Sequence, residues 1–236
     1  MVAGSHLPSP YTHEDIVNFP SRFVSLIFVA ASVASCQSAQ PVPYLGLDSR
    51  LSLKPNMDDS SGRIPYSYRS PVAWNTYRSA IIEPVVIYRG SDNQFGTMSE
   101  GDRQFLAKFM QQEFEKRLST RFSLVAAKAP QTIRIRLTLA GAKTTTPVVG
   151  AVTKVDLMGG PYNAVQAARG KEGMFSGSVN YAVEIYDAQT NKLLAAYVAK
   201  QYPSAMNLRT GWTSLDASMV GISKGADALL AELNRS

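Results

Sequence analysis

Residues 131–140 read QTIRIRLTLA, and their strict alternation decides the fold class. Ile133, Ile135, Leu137 and Leu139 fall on one side, and Thr132, Arg134, Arg136 and Thr138 on the other. That period of two is what a strand with one buried face requires. Residues 178–186, SVNYAVEIY, repeat the pattern with Val179, Tyr181, Val183 and Ile185. Asp187–Lys192 (DAQTNK) reads as a turn and Leu193–Gln201 as the returning partner of a hairpin.

Working outward, Arg78–Tyr88 (RSAIIEPVVIY) predicts another strand, in which Pro84 points to an edge position or a bulge because proline has no N–H to donate. Ser99 to about Thr120 predicts a helix, with Ser99 as its cap and Asp102 three residues on in a capping-box pattern. Its buried stripe reads Phe105, Leu106, Phe109, Met110, Phe114 and Leu118. Phe122–Ala126 reads as a short strand. A last helix is predicted from about Thr213 to Leu233, with Leu215, Met219, Ile222, Ala226, Leu229 and Leu233 on one face. Strands in hairpins followed by amphipathic helices make an α+β fold. The expected architecture is a two-layer sandwich, a mainly antiparallel sheet with both helices on one face.

The whole chain of 236 residues is long enough for one domain with appendages, and its 45% hydrophobic content is that of a globular protein. One cysteine excludes an internal disulfide framework and a multi-cysteine zinc site. That cysteine has a telling position. Residues 23–35, FVSLIFVAASVAS, carry no charge, follow Arg22 and end in small residues, the form of a secretory h-region and too short for a membrane-spanning helix. Val33-Ala34-Ser35-Cys36 resembles the bacterial lipobox, which implies a diacylglyceryl group on the Cys36 sulfur, cleavage just before it and acylation of the new N-terminus. Glu14 and Asp15 depart from the usual basic n-region, and a start assigned too far upstream accounts for them. Gln37 stands where an Asp commonly retains lipoproteins in the inner membrane, so the resemblance implies the periplasmic face of the outer membrane. More than one acyl chain is needed for stable anchoring, and a triacylated cysteine supplies them.

Cleavage after residue 35 removes Arg22, Glu14, Asp15 and both histidines, His6 and His13. The mature chain then holds 23 basic and 16 acidic side chains, net +7, and no histidine. The expected organisation is a removed signal at 1–35, a lipidated Cys36 with a tether that becomes a docking arm over 36–71, and a single domain over 72–236. The tether is rich in Ser, Pro, Gly and Asp, and at ~3.3 Å per residue it would reach on the order of 100 Å if extended. Tyr66, Tyr68, Trp74 and Tyr77 make its end aromatic, either pinning the arm to the fold or forming a ligand platform. Within the domain, residues 144–177 form a long Gly/Val-rich insertion. Its Val148, Val149, Val152, Val155 and Leu157 are a candidate apolar contact segment, to be buried, laid on a membrane or met by a partner.

Motifs for chemistry are weak. Gly221-Ile222-Ser223-Lys224-Gly225 matches the G-x-S-x-G elbow, but it lies inside a helical pattern in a mature chain with no histidine to take the serine proton. Small residues there suit close approach of the helix to the sheet. Neither Gly-rich phosphate-binding pattern occurs. Asp58/Asp59 and Glu113/Glu115 read as solvated charge, since neighbours one or two apart on a helix do not face each other. No metal site, cofactor or catalytic residue is expected. Arg134 and Arg136, with Lys143, are the candidate face for an anionic partner such as lipopolysaccharide phosphates or peptidoglycan carboxylates, unless Glu184 on the neighbouring strand pairs with them.

The order of these pieces is similar to an uncharacterised family of Gram-negative periplasmic lipoproteins, a domain of unknown function. The resemblance rests on Tyr66–Pro71 (YSYRSP), on Tyr77 with Ile81-Ile82-Glu83-Pro84-Val85, on the helix capped by Ser99, on Ile133-Arg134-Ile135-Arg136-Leu137, and on Val183-Glu184-Ile185-Tyr186-Asp187 before Leu193-Leu194-Ala195-Ala196. It covers about residues 45–233. Where the family often has Gly in the hairpin turn, Asn191 stands here, which also tolerates left-handed geometry. The resemblance implies a location and a fold, and no reaction. The expected function is therefore a non-enzymatic, lipid-anchored envelope binding or assembly module. Its partners would be the membrane, through Cys36, and another envelope protein, lipopolysaccharide or peptidoglycan; nucleic acid is not expected. The alternative is a carrier of lipid or another apolar ligand, or an auxiliary subunit of an envelope transport system.

Overall fold

The chain divides into two units, Met1–Gln37 and Ser38–Ser236. The computed structural model describes residues 39–144, 177–203 and 213–235, all in the second unit. Strands β1 (Lys54–Pro55), β2 (Tyr66–Arg69), β3 (Ser79–Ile82), β4 (Val86–Ile87), β5 (Ser123–Leu124), β6 (Thr132–Lys143), β7 (Ser178–Asp187) and β8 (Leu193–Gln201) join in one sheet. Its order is β1-β2-β8-β7-β6-β3-β5, with β4 paired to β6. Helices α1 (Glu100–Leu118) and α2 (Asp216–Leu233) complete an α+β sandwich around a mixed, mostly antiparallel sheet.

The two alternating stretches form the centre. Leu137 stands opposite Val183, Arg136 opposite Glu184 and Ile135 opposite Ile185, so apolar pairs share one face and charged pairs the other. The register slips between Leu139 and Gly141, a bulge at which Gln94 makes an isolated bridge to Gly141. A Cβ on Gly141 would sit 2.7 Å from the Gln94 carbonyl oxygen, so glycine permits this approach. In the turn, Asn191 adopts φ +58°, the left-handed geometry expected there.

The stretch 78–88 is not one strand. Without an N–H, Pro84 interrupts the ladder, leaving β3 and β4 as separate pieces. Both run parallel to β6, and β3 lies inside the sheet between β6 and β5 rather than at its edge.

Helix α1 begins where the cap pattern places it. The Ser99 hydroxyl oxygen accepts the Asp102 N–H at 3.1 Å and donates to the Asp102 carboxylate at 2.8 Å. Leu106, Ala107, Met110, Phe114 and Leu118 are buried, whereas Phe105 is 49% exposed and Phe109 is half-buried. The seam follows the i, i+4 row from Leu106, and Phe105 precedes that row by about 100° of rotation. On α2, Gly221 and Gly225 face the sheet. A Cβ at Gly225 would lie 2.2 Å from the Tyr181 hydroxyl, and one at Gly221 2.9 Å from the Gln201 carbonyl oxygen. The G-x-S-x-G residues are thus a packing surface within a helix, and Ser223 donates to Glu113 of α1 at 3.0 Å. No helix among the described residues is long and apolar enough to cross a membrane.

Both helices cover the same side of the sheet. There Ile133, Ile135, Leu137, Leu139, Val179, Tyr181, Val183 and Ile185 meet Leu106, Met110, Phe114, Leu118, Ile222, Ala226 and Leu229 in the principal core. Phe114 packs edge-on against Tyr181 at a 6.1 Å ring separation. The opposite side carries a smaller cluster, in which Tyr44, Leu47, Leu53 and Tyr88 lie on Ala140, Ala182, Ala196 and Val198. Residues 44–53 thus form a strap, coiled in successive turns, over the second face.

Candidate functional site

The second face is built from the outward positions of the central strands. Arg134 and Arg136 project from β6 as their alternation requires, but neither faces bulk solvent as a free cation. Arg134 Nη1 donates to Glu83 Oε1 at 2.6 Å and Arg136 Nε to Glu83 Oε2 at 2.8 Å, so one carboxylate bridges both guanidiniums. Arg136 also pairs with Asp48 on the strap. Glu184 stands farther off, with its Oε2 4.0 Å from Arg136. The pairing expected with Glu184 is thus made by Arg136 alone and at the longest distance, while Glu83 and Asp48 are the nearer partners. The loop at Pro84 brings Glu83 across both arginines, while Glu184 turns to the strap and accepts the Ser49 N–H at 2.7 Å. The Arg134 guanidinium also stacks 4.4 Å above the Tyr186 ring.

Protonation follows this geometry. Desolvation pushes the Glu83 carboxyl up, but hydrogen bonds from Arg136 and Arg134 and their charges outweigh it and hold it below its ordinary value. The Glu83 hydrogen bond raises Arg136 against desolvation. Burial first, then Glu184, raises the Tyr186 phenol. Among the described residues, four buried side-chain polar atoms lack a hydrogen-bond partner: Ser49 Oγ, Arg134 Nε, Asn180 Oδ1 and Glu184 Oε2. All four belong to this face or to the strap upon it.

Lys143 is not part of that cluster. It lies seven residues beyond Arg136, about 23 Å along β6 at ~3.3 Å per residue. There it lines a cleft of about 520 Å³ with Ala39, Phe95, Met98, Ser99, Ser178 and Asn180. Gln94, also in the lining, organises the rim: its Oε1 accepts from Tyr44 at 2.9 Å and from Asn180 at 2.6 Å, and its Nε2 donates to the Gln40 carbonyl at 2.7 Å. Thr144, the first residue of the Gly/Val-rich insertion, and Ser178, which follows it, both border this cleft. Three stretches far apart in sequence thus converge: the start of the strap, the cap of α1 and the ends of β6 and β7. Sequence reasoning singled out Lys143 but missed Gln94 and Asn180, whose uncharged side chains stand in no motif.

The lipobox residues Val33, Ala34 and Ser35, Cys36 itself, and Val148, Val149, Val152, Val155 and Leu157 lie outside the described residues. Among the described residues no group of His, Cys, Asp and Glu is arranged to hold a metal ion. The aromatic side chains of the arm take separate places. Tyr66 and Tyr68 pack on the second-face cluster, while Trp74 and Tyr77 pack on the principal core, where the Tyr77 hydroxyl donates to Asp187 at 3.0 Å.

The family model described as "Protein of unknown function (DUF3313)" matches residues 45–229. The chain belongs to this family. The match takes in the strap, the sheet, α1 and most of α2, and so covers both faces. No curated protein matches the chain. Among solved structures, the DUF3313 chain is similar to the PelC dodecamer from Paraburkholderia phytofirmans, at 9% identity and a TM-score of 0.35 over 67% of this chain and 92% of that one. A putative lipoprotein from Caulobacter crescentus is 10% identical, with a TM-score of 0.31 over 64% and 86%. A DUF330 protein from Xanthomonas campestris is 8% identical, with a TM-score of 0.33 over 69% and 87%.

Proposed function

We propose that the mature protein is a lipoprotein anchored through Cys36 at the periplasmic face of the outer membrane, and that its α+β domain is a non-catalytic module binding another envelope component. One coincidence carries the reading. The only cysteine of the chain closes an uncharged 13-residue run, Phe23–Ser35, and stands two residues before the second unit begins at Ser38. Cleavage before Cys36 would leave that unit whole and put the acyl chains next to its first residue. A hydrolytic role finds no support at Ser223, which lies within α2 and donates to Glu113 of α1. The polar second face holds its arginines in internal ion pairs, and the cleft beside Lys143 offers an open concave site for a partner among the described residues.

The test is metabolic labelling with palmitate followed by membrane fractionation of the full chain and its Cys36→Ala variant. Wild type is expected to take up label and sediment with the outer membrane. The variant is expected to take up none and to leave that fraction. Cys36→Ala found in the outer membrane in wild-type amount would overturn the anchor.

A further inference from the structure

The strap has an outer side as well as an inner one. Eight large hydrophobic side chains are exposed among the described residues, and four of them, Val42, Leu45, Leu51 and Met57, fall within residues 42–57. Leu51 is 85% and Met57 91% exposed. Scattered singly such residues need no explanation, but their concentration in one short stretch does.

This stretch is held in place. Tyr44, Leu47 and Leu53 are buried against the sheet, the Leu45 N–H donates to Asp92 Oδ2 at 3.0 Å and the Ser49 N–H to Glu184 at 2.7 Å. With those positions turned inward, Leu45, Arg50 and Leu51 are exposed on the strap, and Lys54, which follows it at the start of the edge strand β1, is exposed too. Asp48, the acid among them, is paired with Arg136. Asp48 itself stays 66% exposed and Asp92 interacts with Arg50. The outward surface is therefore aliphatic with Arg50 and Lys54 at its polar margin and both acids already engaged, a composition that can enter the headgroup layer of an anionic bilayer.

We propose that the outer side of the strap, with Leu45, Arg50 and Leu51 and the flanking Val42 and Lys54, lies on the phospholipid surface and inserts its aliphatic side chains there. The domain is then seated on the membrane and not held away from it on a flexible tether. The inference rests on the lipid anchor at Cys36. Val42 is only six positions beyond Cys36, a covalent reach of about 20 Å at ~3.3 Å per residue, and chain bonded into the domain offers no further slack.

The experiment uses the acylated full chain in vesicles of phosphatidylethanolamine and phosphatidylglycerol. Acylation leaves Cys36 without a free thiol, so Leu51→Cys offers a single site for an environment-sensitive fluorophore. Phe105→Cys, on the helix side of the sheet, is the control. Both positions are exposed, so neither substitution threatens folding. The Leu51→Cys label is expected to shift to the blue and to lose emission to nitroxide-bearing lipids, while the Phe105→Cys label stays water-like and unquenched. A Leu51→Cys label as water-like as the control overturns the proposal. So does a blue shift that lipid nitroxides leave unquenched, which would mean that a second copy or another protein covers the strap. Intact mass reports acylation separately: acyl groups present without quenching leave the anchor standing and remove the seated strap. If acyl groups are absent the anchor itself fails, and the same label in a Cys36→Ser background, mixed with these vesicles, overturns the strap reading as well if it is not quenched.

Discussion

The two faces of the central sheet come from the same strands and differ in almost every physical respect. The helix-covered face is mainly apolar, with α1 and α2 packed on Ile133–Leu139 and Val179–Ile185 at alternate positions. The strap-covered face has small residues, Ala140, Ala182 and Ala196, at its centre and charge around them. Its cover is ten residues of turns instead of two helices, and it leaves buried polar atoms of Ser49, Asn180 and Glu184 unbonded. A strand with period-two alternation can therefore be buried on both sides and still keep one face for stability and one for polar interactions. The contrast teaches that a polar strand face is not the same as a solvent face.

Substitutions that weaken one face and spare the other sharpen this comparison. The largest effect is expected from Phe114→Ala on the helix-covered face. It empties a fully buried ring site against Tyr181 and should lower the unfolding free energy by about 3–5 kcal/mol in denaturant titration. A loss no larger than that of a strap substitution would erase the distinction between the faces. Next is Glu83→Gln, which removes the charge shared by Arg134 and Arg136 and should lower stability at neutral pH by about 1–2 kcal/mol after allowing for the partial exposure of the carboxylate. This effect depends on pH. The folded state holds the Glu83 pKa below its ordinary 4.5, so its stabilisation is complete above that pH and fades as acidification passes the lowered value. Wild type and Glu83→Gln should therefore converge in acid, and thermal melts over that range will show whether they do. The smallest is Tyr44→Phe, which keeps the ring against Tyr88 and deletes only the hydroxyl bond to Gln94. It should lower stability by about 1 kcal/mol and speed hydrogen exchange at the Leu45 amide more than anywhere in α1. Equal exchange in both places would mean that the strap does not open independently.

Legibility in the sequence divides along the same line. The central hairpin, its turn at Asn191, the cap at Ser99 and the small-residue side of α2 were all readable, because each follows from a period or a local geometry within a few residues. Phe105 misled because a stripe of three- and four-residue spacings admits two neighbouring rows, and contact with the sheet chooses between them. The strap was hidden. Its inward residues, Tyr44, Leu47, Ser49 and Leu53, follow no fixed period, and the surrounding segment 36–71 has the Ser, Pro, Gly and Asp content of a tether. The carboxylate that neutralises the arginines was equally hidden, since Glu83 follows a strand that sequence joined to the next through Pro84.

By itself the sequence determined the central strands β6 to β8 with their apolar side, the two helices, and where the lone cysteine stands after its apolar run, since these depend on neighbours in the chain. Only the tertiary structure decided that the polar face is roofed by the strap, that Lys143 stands apart at the cleft, and that Arg134 and Arg136 share Glu83 across 51 and 53 residues of chain. The physical reason is range: side-chain periodicity records what a segment buries, whereas the identity of the group it meets is set by strands paired over long sequence separations, which no local pattern encodes.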